Sequence, residues 1–502
     1  LEAAIEKLDE IEKDGIYNTV IVMPVTEFPG SINWGYDSAD LFAVESSYGG
    51  VSNFKRFVNE AHKRGINVIL DVVYNHSAYH HNLSKQLPMY YEDKKNNIND
   101  PNRMKPVWGP WIDHSKENVR NFIVDNALYW LKTCHCDGLR LDSPHSMTPT
   151  YGDYTIKEIL SEVKEHCPDA IIISEEERDF LEISEDSHPD AKWNLKYPYY
   201  MKEFLTEGNS RRMPEIMDKA DYKTFGKLKG SEKAYNYINY LESHDNIRKN
   251  LIFDNKNSAR LVTVLLQNKK EISVDKANEI LKEYYLSNDN ADAKAVIESY
   301  KLGLATLFLS PGGKMLFMGD EQGDLAIFGF FRDSRSFYKE AEEKRQSAVI
   351  GQKGNTNPQI KQFTQDLAKL FKNNPALQSG ESDSEHLKLH VSKKDGISVV
   401  HRKQGNNEVL AFINPNNKDI LYNIEEFDQY GGFIPAGEWK MEIISSDRRY
   451  GGDGKLDNPE TIRISNTNLA RVNVPHSGVV IFTKNIPEEP KPKKVSLLRA
   501  FI

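Results

Sequence analysis

Asp142, Glu175 and Asp245 each close an apolar run, in DGLRLD, IIISEEE and YLESHD. A fourth run, DVVYNH, spans Asp71 to His76. Each puts a carboxylate at or near its end, with His, Arg or Asn often beside it. Neighbouring parallel strands lie about 4.8 Å apart, so two carboxylates on adjacent strand ends can approach to about 5 Å. That separation suits glycoside chemistry with retention, through a covalent glycosyl-enzyme, and is too short for the water of an inverting mechanism. One carboxylate must be ionised to attack the anomeric carbon. The other must hold a proton for the leaving oxygen.

Arg140 lies two residues before Asp142, so both side chains leave the same face of a strand. A fixed guanidinium there keeps Asp142 ionised and oriented. This makes Asp142 the expected nucleophile and Glu175 the acid/base. Asp245 could stabilise an oxocarbenium-like charge, and His76 and His244 could hydrogen-bond sugar hydroxyls. In SEEE, alternation puts Glu175 and Glu177 on one face and Glu176 on the other. The bland alternative is a set of structural ion pairs at strand ends. It accounts for Arg140 and Asp142 alone about as well, and poorly for four such segments in order.

The elements that must position these groups alternate. LEAAIEKLDEIEKDGI has helical spacing and a Gly stop at Gly15. NTVIVMPV (Asn18–Val25) reads as a buried strand. The helix SNFKRFVNEAHKRG follows, then the strand NVILDVVYN. Further helices lead to DGLRLD and to IIISEEE. YNYINYLESHD and KMLFMGDE (Lys314–Glu321) read as strands, with a weak one near Asp190–Asn194. Alternating strand and helix predict a parallel (β/α)8 barrel, whose chemistry gathers at the C-terminal strand ends. Seven strands can be placed. The chain opens on a helix without an initiating Met, so strand one is expected to be absent and the chain to be a fragment.

The barrel is expected over 1–378 and an antiparallel β-sandwich over 379–486, where short runs such as EVLAFINP and GVVIFTK are broken by Gly, Asn and Pro. Residues 487–502 read as a linker-like tail. The charged stretch 269–299, with the helical VDKANEILKEYYL, reads as a solvated surface helix.

Composition narrows the function. A net charge of −9 without a basic stripe argues against nucleic acid. No run approaches the roughly 18 apolar residues of a membrane span. Three cysteines exclude a disulfide framework and fit a reducing, cytoplasmic setting. Cys134-His135-Cys136 matches no usual zinc spacing and reads as structural. The 24 Tyr, 22 Phe and 6 Trp suit sugar stacking and core packing alike.

DVVYNH, GLRLD, the Glu after III-S, and SHD closely resemble the four signature regions of the α-amylase clan, family thirteen of the glycoside hydrolases. The likeness runs from Leu1 to about Lys484. It implies a retaining enzyme on α-linked glucans, with a (β/α)8 barrel and a C-terminal β-sandwich. By the resemblance, Asp142 is the nucleophile, Glu175 the acid/base and Asp245 the third carboxylate. Arg140, His76 and His244 surround them. Tyr36, in WGYD, corresponds to the aromatic that stacks on the sugar, and Asp71 and Asn75 to structural members of the first region. No convincing oxygen-ligand set for calcium is present, so neither metal nor cofactor is expected.

The stretch TEFPGSINWGYDSADLFAVESSYGG is more similar to branching enzymes and maltooligosyltrehalose trehalohydrolases than to simple amylases. YLESHDN and SSDRRYGGDGK lean toward the former, EEERD and DAKWN toward the latter. The first expectation is 1,4-α-glucan branching, on glycogen, starch or a maltooligosaccharide. The second is hydrolysis, trehalose-releasing or amylase-like. A third, of another class, is a non-catalytic glucan-binding protein, and the three retained carboxylates weigh against it.

Overall fold

The computed structural model describes residues 1–30, 33–78, 87–92, 109–147, 152–176, 189–208, 210–217, 236–245, 248–249, 259–325, 328–329, 356–379, 385–424, 435–465 and 470–485. Seven strands form one parallel sheet: β1 (Thr19–Val22), β2 (Asn67–Val72), β3 (Gly138–Leu141), β4 (Ile171–Ser174), β5 (Ala191–Trp193), β6 (Asn236–Tyr240) and β7 (Gly313–Met315), paired in that order. These are the seven runs expected, including the weak one near Asp190–Asn194. The last is shorter than its sequence suggests, because Asp320–Gln322 forms a 3-10 turn.

Helices connect the strands. α1 (Glu2–Asp14) stops at Gly15, whose φ of 64° lets its N–H reach the carbonyls of Ile11 and Glu12. α2 (Gly50–Lys63) joins β1 to β2 and buries Phe54, Phe57, Val58 and Ala61, the i, i+3, i+4, i+7 stripe of an amphipathic helix. α3 (Glu117–Leu128) leads to β3 and α4 (Gly152–His166) to β4. α5 (Tyr197–Glu207) follows β5, and α6 (Leu261–Lys270), α7 (Val274–Ser287) and α8 (Ala291–Leu309) lie between β6 and β7. Alternate strand residues serve two cores. Ile69, Ile171, Ile173, Trp193, Ile238 and Tyr240 pack together inside the curve of the sheet. Val68, Leu70, Leu139, Leu141 and Ile172 pack outward under the helices. With both faces covered, the strands read as continuous apolar runs.

Among the described residues the sheet runs from β1 at one edge to β7 at the other, with no ladder between these two edges. Polar side chains span the seam. Tyr17 Oη donates to Glu321 Oε2 at 2.9 Å. From α9 (Pro358–Asn373), Lys361 pairs with Asp14 at 2.7 Å and Lys372 Nζ donates to the Gly15 carbonyl at 2.7 Å. Between the edges lies a cavity of about 420 Å³, lined by Val20, Ile21, Met315, Leu316 and Phe317 and reaching Asp71 and His244.

The C-terminal part is an antiparallel sheet of β8 (Leu387–Val391), β9 (Ser398–Gln404), β10 (Asn407–Asn414), β11 (Gly437–Ile444), β12 (Thr461–Ile464) and β13 (Gly478–Asn485), in the order β8-β9-β10-β13-β11-β12. A two-stranded ladder, Ile420–Asn423 with Arg471–Val474, accompanies it. Trp439, Phe412 and Phe482 fill its core. It meets the barrel through α8, where buried Lys301 donates to the carbonyls of Ser445 and Tyr450. His476 lies between Asp419, at 2.7 Å, and Glu298 of α8, at 3.0 Å.

One expectation changes. The 269–299 stretch is not merely a solvated helix. Ala277, Leu281 and Tyr284 of α7 are buried in the main core, so a helix rich in charge still carries an apolar stripe. Cys134 and Cys136 are buried, in keeping with a structural role. The tail 487–502 lies outside the described residues.

Candidate active site

Asp142 and Glu175 follow Leu141 and Ser174, which are directly paired between β3 and β4. The ladder continues one step, since Glu175 N donates to the Leu141 carbonyl at 3.1 Å. The two carboxylates therefore leave neighbouring strands at the same level, as the sequence leads one to expect. The adjacent Ser143 is in a left-handed conformation, φ 39°, and its N–H donates to Glu175 Oε2 at 3.0 Å.

Arg140 organises this level. It is fully buried. Its Nη1 donates to both oxygens of Asp71 and to Asp142 Oδ1, each at 2.8 Å. Its Nη2 lies 2.8 Å from Glu175 Oε2. One guanidinium thus touches three carboxylates. Burial tends to discharge it, but the surrounding anions win and raise its pKa further.

Asp71 is pushed up to about 7, mainly by burial, with Arg140 opposing and Asp142 adding to the rise. Burial pushes Glu175 up to about 8, Arg140 again opposing, with Asp142 and Asp245 reinforcing. Glu175 therefore keeps its proton at neutral pH although a cation is close by. Desolvation and two nearby anions outweigh one guanidinium already shared among three carboxylates.

Tyr36 Oη donates to Asp71 Oδ2 at 2.7 Å and lies 2.9 Å from His244 Nε2. The Tyr36 and His244 rings stack at 5.4 Å. His244 Nε2 is 3.4 Å from Asp245 Oδ2, and Asp245 is 38% exposed at the mouth. Asn75 Nδ2 donates to Asp142 Oδ2 at 3.1 Å. The ring of His76 hydrogen-bonds Asn75 Oδ1 and meets Trp111 edge-on. The seven sequence-selected residues thus belong to one linked cluster. Asp71, Asp142, Glu175 and Tyr36 meet around Arg140, His244 and Asp245 join through Tyr36, and His76 joins through Asn75.

Sequence reasoning missed Trp193. It ends β5 inside the curve of the sheet, and Arg140 Cζ sits 4.3 Å from its ring centroid. Trp193 also packs on Tyr240 at 5.4 Å and on His244 at 6.1 Å, while Trp34 meets His244 edge-on at 5.5 Å. A tryptophan closing the strand between those of Glu175 and Asp245 was the available signal. Glu177 lies outside the described residues. Glu176 is buried and faces His145 at 3.8 Å, away from the Arg140 cluster.

Among the described residues, the grouping of ligand atoms close enough to share a metal ion is Glu162, Glu165 and His166. It lies on the last turn of α4, toward the strand N-termini and away from this site. No described helix is long and apolar enough to cross a membrane.

Comparison with known proteins gives concordant results. Residues 1–106 match the alpha-amylase catalytic-domain family. The malto-oligosyltrehalose trehalohydrolase of Saccharolobus solfataricus is 31% identical, over 66% of this chain and 56% of that protein. The 1,4-alpha-glucan branching enzyme of Bacillus cereus is 26% identical, over 93% of this chain and 67% of that protein. Among structures, the alpha-amylase of Geobacillus thermoleovorans complexed with acarbose superposes with a TM-score of 0.67 at 19% identity, covering 96% of this chain and 92% of that one. The last shows the shared fold. The chain spans about half the length of the trehalohydrolase it matches, or less in other such relatives.

Proposed function

For a chain similar to the alpha-amylase catalytic-domain family over residues 1–106 and sharing the alpha-amylase fold, we propose a retaining enzyme of α-glucans, and within that class a 1,4-α-glucan branching transferase. The observation that carries the reading is the pair Asp142 and Glu175, on paired strands, bridged by one buried guanidinium. Asp142 is the nucleophile and Glu175 the acid/base.

In the first step the Asp142 carboxylate bonds to the anomeric carbon. Glu175 delivers its proton to the glycosidic oxygen, and the reducing-end fragment departs. In the second, a 6-hydroxyl of another glucan attacks the same carbon and gives its proton to Glu175, and the bond to Asp142 breaks. Asp245 stabilises the positive charge that builds on the sugar in both transition states. Tyr36 offers an aromatic face to the ring, and His76 and His244 offer hydrogen bonds to hydroxyls. Arg140 fixes the orientation of the Asp142 carboxylate through the hydrogen bond to Oδ1.

Branching is supported by the likeness to branching enzymes over 93% of the chain, C-terminal sheet included. A second reading, hydrolysis that releases trehalose, is supported by the higher identity to the trehalohydrolase over a shorter stretch. Incubation with amylose, followed by proton NMR, separates them. New α-1,6 signals with few new reducing ends support transfer. New reducing ends without α-1,6 signals, or free trehalose from a parallel incubation with a maltooligosyltrehalose, replace that reading with hydrolysis.

A further inference from the structure

We propose that Glu242, Arg260 and Asp320 form a buried positioning unit that sets where His244 and Asp245 emerge at the site. This rests on the functional reading above for its catalytic meaning, though not for its geometry.

Three chain segments meet at Arg260: the end of β6, the start of α6 and the turn after β7. Arg260 Nε donates to Glu242 Oε2 at 3.2 Å, and its Nη2 donates to Asp320 Oδ1 at 2.5 Å. Its Nη1 donates to the Met318 carbonyl at 3.2 Å. Glu242 Oε1 accepts from Leu261 N, the first N–H of α6. Asp320 Oδ2 accepts from Phe317 N at 2.9 Å, and Tyr300 Oη donates to the Asp320 carbonyl at 3.0 Å. Glu242 is 3% exposed, Arg260 2% and Asp320 0%.

Two carboxylates facing one guanidinium out of water make a costly arrangement. Its benefit over apolar packing is directional, because each partner fixes the orientation of the others. The placement explains what is being oriented. Tyr240 points into the barrel and Leu241 into the core outside it. Glu242 is the next residue, and two further on comes His244, which stacks on Tyr36 and packs against Trp34 and Trp193. Asp142 and Glu175 directly follow the last residues of β3 and β4, and Arg140 ties them together. His244 and Asp245 instead leave a turn beyond β6, and Glu242 is the point at which that turn is tied down.

The test uses Glu242→Gln and Arg260→Lys, which keep side-chain volume but break the fork. The first readout is the ring resonance of His244, assigned by its loss in His244→Gln. His114, buried beside Thr155, and His401, paired with Glu408 in the C-terminal sheet, serve as internal references. The second is kcat and KM on amylose. The expected result is a shifted His244 resonance, unmoved His114 and His401, and kcat lowered roughly 10²-fold with KM nearly constant, as for a small misplacement of a catalytic group. An unmoved His244 overturns the proposal. So does a shift of all three resonances together, which marks general loosening of the fold. A His244-only shift in a protein whose wild type leaves amylose untouched upholds the positioning unit and removes the functional reading.

Discussion

The guanidinium of Arg140 sits 4.3 Å from the ring centroid of Trp193, so the cation that gathers three carboxylates rests on an aromatic face. The indole limits how that guanidinium can turn, and burial makes the attraction stronger than it is at a surface. Trp193→Ala removes that support and leaves a void among Ile173, Ile238 and Tyr240. The expected cost is about 3–5 kcal/mol of stability, together with loss of activity at temperatures where the variant stays folded. Thermal unfolding and amylose turnover measure both. A variant as active as the wild type contradicts a positioning role for the indole.

Asp142→Asn keeps the shape of the side chain and removes the nucleophile. Turnover is expected to drop by several orders of magnitude, because nucleophile and acid act together. Thermal stability should change far less. Glucan processing that persists at the wild-type rate rules out the covalent intermediate on Asp142.

Activity should decline as pH rises through about 8, where Glu175 gives up the proton it holds below that value. In Glu175→Gln the alkaline limb disappears, and turnover of amylose falls roughly 10²- to 10⁴-fold. A wild-type profile of kcat/KM that stays level well above pH 8 means another group supplies the proton.

His476 joins the C-terminal sheet to α8. Its bond to Glu298 and, against partial burial, its bond to Asp419 raise it to about 9. A base raised in the folded state stabilises it fully below the unfolded value near 6.5, and that contribution is lost as pH climbs through about 9. His476→Gln is therefore expected to melt below the wild type at pH 6, with the gap closing by pH 10. A gap that is the same at both pH values refutes the ionic contribution.

Much of this site is visible in the primary structure because it rests on short-range rules. Period-two alternation puts Arg140 and Asp142 on one face, and apolar runs ending in a carboxylate mark the strand ends that carry Asp142 and Glu175, whereas Asp245 sits in a turn beyond β6, which ends at Tyr240. What alternation cannot convey is contact between residues far apart in the chain. Trp193 and Arg140 are 53 positions apart, and each alone reads as ordinary core or ordinary charge. Glu242 and Asp320 likewise look like two acidic residues among many until Arg260 brings them together. The helix Val274–Ser287 shows a related limit. Its charges dominate the reading, while three buried side chains decide where it packs.

The order of the strands divides the proposed reaction in space. β3 and β4, which carry Asp142 and Glu175, lie in the middle of the sheet with neighbours on both sides. β6, which leads to the turn carrying Asp245, is paired with β5 and with β7, the last strand in the order. Bond making and proton transfer thus belong to two strands at the centre of the ladder, and charge stabilisation to a turn two strands away.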